Sequence, residues 1–238
     1  LFALQRRREG FPCDGVAVAL YLVVVGLLVG QPDIGMAVVV SAVWFAQIVL
    51  AGLRLAWVGL LASAGVAAVI GAYFAFPHVA SRVNRFLDPA SGDTYQISRA
   101  LEAFLNGGLV GRGPGEGTVK SVLPDAHSDF IFAVAGEEFG LVVCLVIVAL
   151  FAFVVLRGFV RLFQENDLFI LLAVAGLLAQ FGMQAIINMG STLHLIPTKG
   201  TTLPFISYGG SSLLALSLGM GMVLALTRKR YGAGAEFR

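Results

Sequence analysis

Six apolar stretches, each near the length needed to cross a bilayer, divide this chain of 238 residues. A spanning helix takes about 20 apolar residues, because the hydrocarbon core is ~30 Å thick and a helix rises ~1.5 Å per residue. The stretches cover about residues 15–30, 34–53, 55–76, 139–156, 168–188 and 211–227. In lipid the backbone must satisfy its own hydrogen bonds, so helices are the expected form. The expected fold class is all-α, a polytopic transmembrane helix bundle with about six spans. Composition agrees. Only 13% of residues are charged and the mean hydropathy is +0.88, whereas a soluble domain carries about 25% charge. A net charge of +2 is too small to draw nucleic acid, and no such partner is expected.

Lys and Arg in the short connections set the orientation. Under six alternating spans, Arg6, Arg7, Arg8, Arg54, Arg157, Arg161, Arg228, Lys229 and Arg230 share one side. That side, with the C-terminus, is expected to be cytoplasmic. The opposite side receives Gln31-Pro32-Asp33, the connection around Lys199 and a long polar loop, residues 78–137. The run around Arg6 lacks the short apolar core of a signal peptide, and the chain opens on Leu1. The expectation is one membrane domain, 1–238, whose upstream part is missing. Cys13 and Cys144 read as free thiols packed as small hydrophobes. His78, His127 and His194 have no metal-ligand spacing.

The long loop is patterned. Residues 94–106 place Ile97, Leu101, Phe104 and Leu105 at helical spacing, with Asn106-Gly107-Gly108 as the stop. Residues 111–117 read as a flexible glycine-rich turn. They are not a phosphate-binding loop of the Walker type, because no Gly-Lys-Ser/Thr follows. From Ser128 the chain turns apolar again, which predicts a short helix with Ser128 near its cap.

Asp129 stands where polar loop gives way to apolar helix. Spacing alone leaves two readings open. It is a general base toward a hydroxyl of a lipid-linked substrate, or an acid stabilising a helix N-terminus. The two conflict, since a helix N-terminus lowers a carboxylate pKa and a base benefits from a raised one. Glu137 and Glu138 point about 100° apart on a helix and read as interfacial anchors. Lys199 is a cation in an apolar return to the membrane, with pyrophosphate as its natural partner. Gln180, Gln184 and Asn188 share one helix face, either toward a wet groove or toward neighbouring helices. Asp33 lines the same cavity or stabilises the turn between two spans.

Four motifs in order carry a resemblance. They are Gln31-Pro32-Asp33-Ile34-Gly35, Leu123-Pro124-Asp125-Ala126-His127-Ser128-Asp129-Phe130, Gly136-Glu137-Glu138-Phe139-Gly140, and Pro197-Thr198-Lys199-Gly200 continuing through Leu203-Pro204-Phe205-Ile206-Ser207-Tyr208-Gly209-Gly210-Ser211-Ser212. Together they resemble the SEDS family (shape, elongation, division and sporulation), its division branch more than its elongation branch. Met36, Ser128 and Asp125 depart mildly from the family pattern.

The resemblance implies ten spans in the whole protein, of which these six are the last. It implies a peptidoglycan glycosyltransferase that polymerises lipid II outside the bacterial cytoplasmic (inner) membrane, at the division septum. Asp129 falls on the family's essential aspartate. Lys199, Arg82 and Arg85 are then candidates to neutralise a leaving pyrophosphate, with a divalent cation (Mg or Mn) as a helper. His127, Asp33, Gln184, Ser207 and Ser211 complete the expected substrate-binding set. The implied partners are lipid II, a class B penicillin-binding transpeptidase and other membrane proteins of the divisome. A lipid II flippase and a non-catalytic divisome scaffold are the alternative readings.

Overall fold

The computed structural model describes residues 13–31, 33–52, 54–88, 94–197 and 200–228, and every regular element among them is helical. In chain order they are α1 (Cys13–Gly30), α2 (Ile34–Leu50), α3 (Leu55–Ala75), α4 (Pro77–Leu87), α5 (Tyr95–Gly107), a 3-10 turn (Val119–Ser121), α6 (Ile131–Leu162), α7 (Leu168–Thr192) and α8 (Gly210–Thr227). The expected all-helical membrane bundle is what the chain forms. By length and apolarity, α3, α6, α7 and α8 can cross a bilayer; α2 and the Gly15–Gly30 part of α1 are apolar but shorter. Local chemistry sets the boundaries. Asp33 caps α2, its Oδ1 accepting from the Met36 N–H at 2.9 Å. Phe76 is extended and Pro77 opens α4, so α3 cannot continue into it.

Helix α7 is the hub. It packs on α2, α6 and α8. Its Leu178, Val174 and Ala175 meet Leu162 of α6 and Val223 of α8. The Gln47 side chain of α2 crosses it to donate to the Leu172 carbonyl at 3.1 Å. Helix α3 is the opposite case, with none of its described residues buried and its main contacts with α4 and α2. A second small core lies in the long loop. There α5 packs on the start of α6 through Ala100, Ala103, Val119, Leu123, Phe130 and Ala133.

Helix α6 is broken at Gly140, whose φ of 76° and ψ of −176° interrupt the hydrogen-bond ladder. The loop after α5 takes up the freed groups. Leu141 and Val142 donate to the Gly108 and Leu109 carbonyls at 2.9 and 3.3 Å, while Arg112 and Gly113 donate to the Glu137 and Glu138 carbonyls at 3.0 and 2.9 Å. A Cβ on Gly140 would lie 2.4 Å from the Gly111 nitrogen, and one on Gly111 would lie 2.2 Å from the Glu138 oxygen. Only two glycines let the strands meet this closely. The expected flexible turn at 111–117 is therefore corrected. Its first residues are bonded into a helix break, as a break at the edge of lipid requires.

Glu137 and Glu138 are not interfacial anchors either. Glu137 is fully buried. Its Oε1 accepts from the Thr118 and Val119 N–H groups at 3.0 Å each, and its Oε2 from the Lys120 N–H at 3.3 Å. It thus caps the 3-10 turn from another helix. Glu138 pairs with the Lys120 ammonium, which also donates to the Gly115 carbonyl at 2.9 Å.

Candidate active site

Asp129 sits in a turn fixed at both ends. Asp125 adopts a left-handed φ of 53°, so that its carbonyl accepts from the N–H groups of Ser128, Asp129 and Phe130 at 3.1, 3.0 and 3.3 Å. The carbonyls of the next turn face the other way and are all engaged. Tyr208 N–H donates to the His127 carbonyl at 2.9 Å, Ser207 Oγ to that of Ser128 at 2.5 Å, and Asn188 Nδ2 to that of Asp129 at 2.9 Å. Ser207 Oγ also accepts from the Leu203 N–H at 2.7 Å. The buried Asn188 amide reaches the Thr201 carbonyl as well. The acid turn, the 200–208 segment and the end of α7 are thereby one unit.

With the backbone held, the carboxylate is left over. It makes no hydrogen bond among the described residues, and it does not cap α6, whose N-cap is Phe130. Ser128 does not cap it either; its hydroxyl bonds the Asp125 carbonyl at 3.3 Å. The Asp129 carboxyl is held above the usual carboxylate range by its burial and by the Asp125 carboxylate, against an opposing influence from His127. The helix-capping reading would have lowered it.

A cavity of about 450 Å³ adjoins the acid through Gly200 and is lined by Gln180, Gln184, Thr201, Thr202, Ser211 and Ser212, with apolar residues such as Leu177 and Met220 deeper along α7 and α8. Gly200 is the shared wall, since a Cβ there would lie 2.7 Å from Asp129 Oδ2. Gln184 donates to the Thr202 carbonyl and hydroxyl at 3.1 and 3.0 Å. Gln180 and Gln184 thus face the groove, while Asn188 clamps the acid turn. Two atoms here are buried without a hydrogen-bond partner among the described residues, Asn188 Oδ1 and Thr201 Oγ1. On the exposed side, the His127 and Tyr208 rings meet edge to face at 5.6 Å beside the acid.

Of the residues singled out from sequence, Asp129, His127, Gln184, Ser207 and Ser211 therefore lie around one turn and its cavity. Ser207 serves as a backbone tie. Asp33 caps α2, and its neighbour Met36 lines the cavity. Arg82 and Arg85 line a different, smaller cavity. Lys199 lies outside the described residues. Gly200, Thr201, Thr202 and Tyr208 were missed as individual site residues, although the motif containing them was visible. Among the described residues no three His, Cys, Asp or Glu side chains converge as metal ligands.

These features define a multi-pass membrane protein with an acid, unbonded among the described residues, held at the rim of a polar cavity. Residues 7–232 match the sequence profile of the cell cycle protein family that comprises FtsW, RodA and SpoVE, and the chain belongs to that family. It is 48% identical over 240 residues to the probable peptidoglycan glycosyltransferase FtsW of Caulobacter vibrioides, covering 100% of this chain and 62% of that one. It is 40% identical to the probable peptidoglycan glycosyltransferase FtsW of Halothiobacillus neapolitanus, covering 87% of this chain and 51% of that one. The chain thus spans between half and two thirds of these relatives. Among solved structures, it is similar to a chain from a study of polymerization and crosslinking by a peptidoglycan synthase complex, with a TM-score of 0.73, 32% identity, and coverage of 97% and 67%. It is also similar to the rod shape determining protein RodA of Thermus thermophilus, with a TM-score of 0.60, 29% identity, and coverage of 96% and 61%.

Proposed function

We infer that this chain forms most of an inverting peptidoglycan glycosyltransferase, which polymerises lipid II at the division septum, and that Asp129 is its general base. The observation that carries the reading is the contrast at one turn. Three successive carbonyls, His127 to Asp129, are fixed by side chains and backbone of α7 and the 200–208 segment, while the Asp129 carboxylate has no hydrogen bond among the described residues. A base needs a fixed position and a carboxylate with a raised pKa.

The 4-hydroxyl of the acceptor N-acetylglucosamine gives its proton to the Asp129 carboxylate. Its oxygen bonds to the anomeric carbon of the growing strand, and the bond from that carbon to the undecaprenyl pyrophosphate breaks. The electron pair leaves with the phosphate oxygen. Gln184, Thr202, Ser211 and Ser212 offer hydrogen bonds to a saccharide in the adjoining cavity, and the exposed His127–Tyr208 pair gives it an aromatic ledge. The polar lining ends near Gln180 and turns apolar beyond it. This favours a polymerase over a flippase, which needs polar groups through the whole depth.

A class B transpeptidase would crosslink the strands, with other divisome proteins beside it in the cytoplasmic membrane. The similarity to a chain of a peptidoglycan synthase complex supports that partnership. Asp129→Asn in the full-length protein, given labelled lipid II, tests the assignment. Loss of polymer with normal expression is expected. Undiminished polymer would refute the role of Asp129.

A further inference from the structure

Helix α5 carries two apolar faces. Ala100, Ala103, Phe104 and Gly107 pack it onto the start of α6. Leu101 and Leu105, one turn apart, lie outside that contact, and the stripe runs on through Leu109 and Val110 beyond the helix end. No described residue covers it. Leu105 and Val110 are each 83% exposed, and Leu109 is 67% exposed. A contiguous apolar patch of this kind marks an interaction surface. The charged pair of the helix, Arg99 and Glu102, lies off the stripe and is satisfied internally, at 2.5 Å.

The break at Gly140 shows what meets the stripe. Leu141 and Val142, the first residues beyond it, donate to the Gly108 and Leu109 carbonyls at 2.9 and 3.3 Å. The stripe thereby joins the outer surface of α6, where Leu141, Val142 and Leu145 are exposed. That surface belongs to a membrane span. From Leu141 to Leu156 no residue is charged, and Arg157 and Arg161 end the run. Leu141 and Arg161 stand ~30 Å apart along the helix, the thickness of the hydrocarbon core. The edge of the hydrocarbon on the loop's side therefore falls at the break, and Leu109 and Val110 lie at that edge. Arg112 follows at once. It is exposed, its Nε donates to the Asn106 carbonyl at 3.2 Å, and it makes no ion pair among the described residues.

We propose that Leu101, Leu105, Leu109 and Val110 form a membrane-inserted face, which lays α5 in the headgroup–acyl boundary of the leaflet on the loop's side and sets the Arg112 guanidinium on phospholipid phosphates. Interfacial helices sink an apolar face ~5–10 Å into that boundary. An arginine beside such a face rests its stem on hydrocarbon and reaches the phosphates with its head. A covering protein segment is the competing occupant. The hydrogen-bonded continuity with the lipid-facing surface of α6 favours lipid. Hydropathy alone places this face in the polar loop, outside the membrane. The anchor also bears on Asp129. Helix α5, the 3-10 turn and Phe130 share one small core, and Phe130 directly follows the acid. A lipid-held α5 thus fixes the depth of the acid turn in the bilayer, whether or not Asp129 is a base.

Fluorescence quenching tests this in the full-length protein, with its native cysteines replaced, reconstituted in vesicles of phosphatidylethanolamine and phosphatidylglycerol. Leu105→Cys and Val110→Cys, each at an exposed position that tolerates change, carry an environment-sensitive dye. Glu116→Cys, exposed on the same loop, is the control. Lipids brominated near the head of the acyl chain should quench the dye at Leu105→Cys and Val110→Cys at least about threefold more than at the control, and aqueous iodide should do the reverse. Brominated phosphatidylglycerol should quench Val110→Cys more than brominated phosphatidylcholine does, and Arg112→Gln should abolish that difference. Iodide quenching of Leu105→Cys and Val110→Cys to the level of the control would overturn the anchor. So would protection from both quenchers, the signature of a covering protein segment. Equal quenching by the two headgroups with Arg112 intact would overturn the phosphate contact. Asp129→Asn should leave all these readings unchanged, so failure of the base assignment and failure of the anchor are separable.

Discussion

Asn188 Nδ2 donates to the carbonyl oxygen of Asp129 at 2.9 Å, across 59 residues of sequence, and the same amide nitrogen reaches the Thr201 carbonyl. One buried amide therefore sets where the acid turn stands relative to the wall of its cavity. Asn188→Leu keeps the size and removes the donor, leaving two carbonyls unpaired at a cost of about 1–3 kcal/mol each. The expected outcome is a lower melting temperature and a marked fall in kcat for lipid II polymerisation. Asn188→Gln should not rescue it, because the longer side chain overfills a fully buried position. Polymerisation at the wild-type rate by Asn188→Leu would contradict the positioning role.

The raised pKa of Asp129 has a stability consequence with a definite sign. A carboxyl whose folded pKa lies above its unfolded value binds more protons in the folded state, so stability falls as pH rises through that window. The folded protein carries this cost in full above the folded pKa. Asp129→Asn should therefore raise the melting temperature at pH 7 while abolishing polymer formation. The advantage should shrink as pH falls through the folded pKa, and vanish below the unfolded carboxylate value of about 3.9. Melting curves across pH in one detergent check both limbs. In the wild type, the acid limb of activity should lie above that of an unperturbed aspartate.

How much of this was legible in sequence depended on the range of the signal. Hydropathy located the apolar helices, because lipid solvation acts residue by residue. Periodicity placed α5 within a residue at each end, since its apolar face is local. The Gly140 break was not legible. A glycine inside an apolar run has the same letter whether it packs, bends or breaks, and its partner, Gly111, lies on the far side of the 3-10 turn and the acid turn. Glu137 was misread for the same reason. Charge at the end of a span suggests headgroups, and only the fold shows three N–H groups converging on it. Asp129 could be singled out as an acid at a boundary. That its carboxylate is unbonded, and not a cap, depends on Asn188, Ser207 and Tyr208, which are distant in the chain.

The Glu137 clamp can be tested through the loop it holds. Glu137→Ala frees the N–H groups of Thr118, Val119 and Lys120 in a mostly buried setting and should destabilise by several kcal/mol, since hydrogen bonds to a charged group contribute about 1.5–3 kcal/mol each. Glu137→Gln retains one acceptor oxygen and should be milder. Hydrogen exchange at residues 111–121 is expected to speed up in the alanine variant well before exchange in α7 changes. Uniform acceleration across the molecule would mean that Glu137 supports the whole bundle and not this loop.

The Gly140–Gly111 contact predicts an intolerance that Gly108 does not share. Alanine at Gly140 meets backbone at 2.4 Å and must adopt a left-handed φ, whereas Gly108, also left-handed, has open space around it. Gly140→Ala should therefore cost clearly more than the roughly 1–3 kcal/mol of a positive-φ backbone penalty alone, and Gly108→Ala should stay near that figure. Comparing melting temperatures of the two variants isolates the close approach from the conformational penalty.

Gly200→Ala is the sharpest test of the acid's setting, because it reaches Asp129 without changing it. The new Cβ would lie 2.7 Å from Asp129 Oδ2. The Gly200 backbone is not in the left-handed region, and the atom it meets is the end of a side chain that can turn aside. The fold should therefore survive with little change in melting temperature, while the carboxylate is displaced from the cavity mouth. A displacement on the order of 1 Å at a catalytic group costs about a hundredfold in rate. The expected result is a protein that expresses and melts like wild type but polymerises lipid II some two orders of magnitude more slowly. Gly210→Ala is the control, since nothing lies within 4 Å of a Cβ there. Equal activity in the two variants would show that the Gly200 side of Asp129 does not face the reacting hydroxyl.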